Sequence, residues 1–113
     1  MYAAVDGYHH IEALKGDTLL LWCDTTTSDG VSWTQWSPDG GFSYLYINGS
    51  FTGVTTRYSI EERPGRDEYS LKIYNAQIPD SGWYDCWERD EVRRFGYNLN
   101  VTGKKTMLSI VSK

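Results

Sequence analysis

Two short stretches constrain this chain more than anything else in it. One is Asp80-Ser81-Gly82-Trp83-Tyr84-Asp85-Cys86, and the other runs from Cys23 to Trp33, ten residues further on. No window shows sustained helical periodicity. Short alternating or apolar runs recur instead, separated by clusters of Gly, Pro, Asp and Ser, as an all-β chain requires. Residues 16–23, 31–36, 42–47, 57–60, 69–74 and 83–89 read as strands, with a turn at Ser37-Pro38-Asp39-Gly40-Gly41. Alternate side chains of a strand point to opposite faces. Leu19, Leu21 and Cys23 therefore share one face, and Leu20 and Trp22 the other.

A Cys, then a Trp, then D-x-G-x-Y-x-C resembles the immunoglobulin superfamily. The stretch Gly53-Val54-Thr55-Thr56-Arg57-Tyr58-Ser59 is similar to the entry into strand D of its variable-type (V-set) domains. The resemblance covers the chain from about Lys15 onward. It implies an all-β, two-sheet antiparallel sandwich with C′ and C″ strands, closed by one inter-sheet disulfide between Cys23 and Cys86. It also implies that Trp33 packs on the sulfurs and that Tyr84 turns its hydroxyl back onto the preceding corner. Leu71 joins that core, and Arg57 pairs with Asp80. Strand C, Trp33-Thr34-Gln35-Trp36, departs from the family pattern, and either Trp can be the core residue. We take Trp33, because Val31 then shares its inward face.

The last strand has two registers. Residues 103–110 resemble the joining segment of antigen receptors, with Lys105 and Thr102 departing from its pattern. That register is the working expectation, and it leaves a long F–G loop over residues 88–101. In the other, residues 95–101 form strand G after a short turn near Asp90, and residues 103–113 begin a tail.

At 113 residues the chain is expected to be one domain, residues 1–113. Its formal charge of -4 with no basic stripe argues against nucleic acid and anionic membranes as partners. No signal peptide and no membrane-spanning run is visible, so no direct membrane insertion is expected of this segment. The disulfide that the resemblance implies would place the chain outside the cell, as a secreted chain or the ectodomain of a membrane protein. No nucleophile–base pairing, phosphate cradle or metal-ligand spacing is legible, so no enzyme, cofactor or metal is expected. His9 and His10 are adjacent and would face opposite ways on a strand.

With Cys23 and Cys86 inward, their neighbours face outward, which puts Trp87 and Arg89 of strand F with Trp36 of strand C. Trp36 and Trp87 are expected to lie near each other as a hot-spot pair, with Tyr44 and Tyr46 of strand C′ beside them. The five Trp and nine Tyr are more than one small core needs. Arg89, Asp90, Glu91, Arg93 and Arg94 are candidate contacts at the tip. Trp22, on the opposite sheet, is expected to be covered by Tyr74. Asn48 and Asn100 each head an N-x-S/T glycosylation sequon, and in the short-turn register Asn100 is expected beside Trp87. The favoured function is an immune-type receptor or secreted immune molecule. It would bind a protein, cell-surface or microbial ligand through the GFCC′ face and F–G loop, with a homodimer through that face as one form. The alternatives are adhesion by homophilic or heterophilic Ig–Ig pairing, and a spacer domain in an array.

Overall fold

The alternating runs become nine strands among the residues described by a computed structural model, namely 7–25, 30–47, 49–53, 56–61, 68–89 and 92–103. They are β1 (Tyr8–Leu14), β2 (Leu19–Leu21), β3 (Ser32–Trp36), β4 (Phe42–Ile47), β5 (Ser50–Phe51), β6 (Tyr58–Glu61), β7 (Ser70–Ile73), β8 (Gly82–Glu88) and β9 (Val92–Thr102). One sheet has the order β1-β9-β8-β3-β4-β5, and the other β2-β7-β6. Strand β1 runs parallel to β9, and the other pairings are antiparallel. The two sheets form an immunoglobulin-like sandwich in which β2 to β9 take the places of strands B, C, C′, C″, D, E, F and G.

The expected long F–G loop is not what the chain forms. Strand β9 starts at Val92 and pairs at once with β8, from Glu88↔Val92 to Gly82↔Leu99. Leu99 and Val101 alternate inward and are buried, which favours this register over a solvated loop. Strand G is therefore Val92–Thr102, and residues 104–113 lie outside the described residues.

Burial explains why both sheets hold together. Leu21, Leu71 and Ile73 of the small sheet pack on Trp33, Tyr84, Tyr97 and Leu99 of the large one. Cys23 and Cys86 are bonded across this core, with Cα atoms 6.5 Å apart. The Trp33 indole N–H crosses to the Tyr69 carbonyl at 2.8 Å, so this buried donor is satisfied. Trp22 is not covered by Tyr74. It is exposed and packs on Phe95 with ring centroids 5.7 Å apart, while its carbonyl accepts the Tyr97 hydroxyl. Burial pushes that hydroxyl up to about 12.

The corner before β8 explains the spacing of D-x-G-x-Y-x-C. Arg57 grips the Asp80 carboxylate with two hydrogen bonds of 2.6 and 2.9 Å, and the Gln77 N–H donates to it at 2.8 Å. The Tyr84 hydroxyl donates to the Asp80 carbonyl and accepts from Gln35 at 3.0 Å. Gly82, at φ 147°, must be bare, because a Cβ there would sit 2.3 Å from the Trp36 carbonyl oxygen. Gly82→Ala is expected to lower unfolding free energy by about 3 kcal/mol or more through this backbone clash. Urea unfolding checks it, and a loss under about 1 kcal/mol would contradict so tight an approach.

Candidate functional site

The outward side chains of the large sheet form three cross-strand rows. The first is Phe42, Trp36, Trp83, Asn98 and His10; the second is Tyr44, Thr34, Asp85, Gly96 and Tyr8; the third is Ser32, Trp87 and Arg93. Partners in a row share a face, because paired residues of neighbouring strands point the same way.

Aromatic rings dominate one side of this face. Trp36 (43%), Phe42 (46%), Tyr44 (43%) and Trp83 (36%) are all exposed. Trp36 meets Phe42 at 4.7 Å between centroids, and Phe42 meets Tyr44 edge-on at 5.5 Å. A cleft of about 360 Å³ lies beside this ridge, lined by Tyr8, Trp36, Ser37, Pro38, Gly40 and Trp83.

Trp36 and Trp87 are not neighbours. Trp36 stands opposite Trp83, and Trp87 stands opposite Ser32, four residues along β8 from Trp83 and so about 13 Å away. Trp87 also lies down on the sheet. Its indole N–H donates to Thr34 Oγ1 at 2.9 Å, and Ser32 and Thr34 are buried. Trp83 was missed by sequence reasoning, although its parity with Asp85 and Trp87 was the available signal.

Tyr46 is corrected more sharply. It is only 8% exposed and belongs to the core. The register of β3 with β4 jumps from Trp33↔Tyr46 to Thr34↔Tyr44, so Leu45 is an extra residue. Such a bulge turns the following side chain to the other face. Tyr44 stays outward, and Tyr46 turns inward against Phe51 at 5.1 Å.

The charged candidates divide. Arg89 is exposed in the turn after β8, at φ 58°, and its N–H donates to the Gly30 carbonyl. Arg94 is the extra residue in a second bulge, opposite the step from Cys86 to Trp87, and it pairs with Glu88 at 3.6 Å. Asp90, Glu91 and the sequon residue Asn48 lie outside the described residues. Asn100 is exposed, donating to Glu12 at 3.0 Å. It is seven residues along β9 from Arg93, the partner of Trp87, so it is not beside Trp87.

Arg93 belongs to a polar knot in the middle of the face. It pairs with Asp85 at 3.2 Å, and its guanidinium lies 4.6 Å from the Tyr8 ring centre. The Tyr8 hydroxyl donates to the other Asp85 oxygen at 3.0 Å. Tyr8 reaches across β9 because residue 96 is glycine: a Cβ there would meet the Tyr8 ring at 2.9 Å. Asp85 is 2% exposed. Burial raises its carboxyl above the ordinary carboxylate range, against the lowering pull of Tyr8 and Arg93.

A family model described as "Immunoglobulin V-set domain" matches residues 8–110. This chain belongs to the V-set family. It is also similar to nephrin of Rattus norvegicus, at 29% identity over 102 residues, covering 90% of this chain and 7% of nephrin. The V-set domain thus spans only a small part of that relative's length. Among solved structures it resembles the crystal structure of Dpr1 IG1 bound to DIP-eta IG1, with a TM-score of 0.66 and 24% identity over 86% of this chain and 92% of that one. V-set domains serve binding and adhesion, and this one is a recognition or adhesion domain. No helix among the described residues is long and apolar enough to cross a membrane.

The Asp85 environment gives a pH dependence. An acid that keeps its proton to higher pH when folded makes stability fall as pH rises from the ordinary carboxylate value through the folded one. The difference in unfolding free energy between the native protein and Asp85→Asn should therefore shrink as pH rises above the ordinary carboxylate value of about 4. Urea titrations from that pH upward check it, and a growing difference would mean that the carboxyl is lowered instead.

Proposed function

We propose that this V-set domain is an extracellular cell-surface recognition module that pairs with another protein through the outer face of its six-stranded sheet. One observation carries the reading: four large rings, Trp36, Phe42, Tyr44 and Trp83, stand exposed on one face while the core is complete without them. Aromatic side chains grouped in this way are what interface centres are made of. In the similar solved structure Dpr1 IG1 is bound to DIP-eta IG1, which makes a second immunoglobulin domain the first partner class to test. The similarity to nephrin is consistent with an ectodomain. The immune-receptor reading leaned on a joining-like last strand, and strand G ending at Thr102 removes that support.

Asn100 is carried forward as a sugar acceptor. A glycan there would rise beside Glu12 on the β1 side, leaving Phe42 and Tyr44 uncovered.

The test is binding of the purified domain to itself and to a panel of cell-surface immunoglobulin ectodomains. Phe42→Ala and Tyr44→Ala should each weaken binding about tenfold or more, with unfolding free energy changed by less than about 1 kcal/mol. Leu20→Ala, on the opposite sheet, should bind as the native protein does. Loss of binding in the Leu20 variant alone would move the interface to the other face.

A further inference from the structure

The cleft beside the aromatic ridge has a more specific chemistry than the ridge. Trp36 and Trp83 form two of its walls and Tyr8 a third, with the turn residues Ser37, Pro38 and Gly40 closing one end. Among the described residues no charged side chain lines it. Trp83 is 36% exposed and makes no ring–ring contact among the described residues.

Three observations narrow the occupant. The first is that the cleft is shallow and open to solvent on one side, so an aliphatic side chain placed there would stay half wet. A guanidinium needs only one covered face, because it stacks flat on an indole and keeps its N–H edges in water. The second is charge. The chain carries -4, and Asp39 sits in the closing turn, its carboxyl held below the ordinary range by the Ser37 hydroxyl and the Gly41 N–H. The guanidinium in the middle of this face, that of Arg93, is already neutralised by Asp85. The third is that the two hydroxyls lining the cleft are already engaged within the domain. The Tyr8 hydroxyl donates to Asp85, and the Ser37 hydroxyl is engaged with Asp39 and Gly41.

The protein stacks its own cations on its own rings: Arg93 on Tyr8 at 4.6 Å, Lys72 on Tyr74 at 5.2 Å and Arg57 on Tyr58 at 5.8 Å. Each of these three sits on a ring other than Trp36 and Trp83. We infer that the Tyr8–Trp36–Trp83 cleft receives an arginine side chain presented by the protein partner. This rests on the outer face being the protein-binding surface.

The test uses the intact domain and small probes, so it needs no identified partner. N-acetyl-arginine amide is compared with N-acetyl-citrulline amide, which has nearly the same shape without the charge, and with N-acetyl-leucine amide and methyl glucoside. The readout is the indole N–H resonances, assigned through Trp36→Phe and Trp83→Phe. The arginine probe should shift the Trp36 and Trp83 signals in a saturable way, about tenfold more tightly than citrulline, and Trp83→Leu should abolish the response. Citrulline or leucine amide binding as well as arginine would overturn the inference, as would a response confined to other tryptophans. The ranking on the native protein stands even if a variant folds poorly. Failure here with Phe42→Ala and Tyr44→Ala still weakening partner binding would leave the face intact and remove only the arginine. Arginine binding in the cleft without any effect of those two variants would do the reverse.

Discussion

Because Cys86 is bonded to Cys23 and the Tyr84 hydroxyl is held by the Asp80 carbonyl, β8 cannot slide by one residue. A one-residue slip would turn every side chain of the strand to the opposite face. With Tyr84 and Cys86 held inward, Trp83, Asp85 and Trp87 must point out. Strand β8 lies between β9 and β3, so its register passes to both neighbours and sets the three outward rows. The binding face is thus a consequence of the core, and the two share one strand.

The ion pair in the middle of that face needs its own account. A buried carboxylate is costly to desolvate, and Asp85 offsets the cost with a guanidinium and a phenol. Both partners come from outside β8: Arg93 is on β9 and Tyr8 on β1. Tyr8 is the first residue of β1, which among the described residues pairs only with β9, so this hydrogen bond ties the start of that strand to the centre of the sheet. The bare backbone at Gly96 makes the crossing possible. The same tether places Tyr8 as a wall of the cleft, so the knot that anchors β1 also shapes the surface beside it.

The sandwich was legible because its signals are local. Alternation marked the strands, and the Cys, Trp, Tyr and Asp spacings marked the corner and the core. Strand C′ was read to its limits, 42–47, because Phe42 to Ile47 is bounded by glycines and a sequon. The face was legible only in part, because its geometry depends on register between strands, which no single segment encodes. Tyr46 was placed outward because parity counts every residue, and the extra residue Leu45 breaks the count. Trp36 and Trp87 were paired because both face out, yet they belong to different rows. Strand G was misplaced for a related reason. A joining-like motif and an alternating run competed for one role, and burial of Leu99 and Val101 decided it.

The rings that the core does not use are not loose. Trp36, Phe42 and Tyr44 lean on one another at 4.7 and 5.5 Å, so each is held by its neighbour before any partner arrives. Association normally costs the rotamer freedom of the side chains it immobilises. Here part of that ordering is already done in the free domain. A ridge of rings in mutual contact also resists collapsing onto its own sheet, which is what Trp87 does when it lies over Thr34. The two ends of the face therefore behave differently. At the Trp87 end an indole is spent on covering the domain's own strand. At the Trp36 and Trp83 end the rings stand up around an open cleft, and that is where this sheet keeps its unspent contact surface.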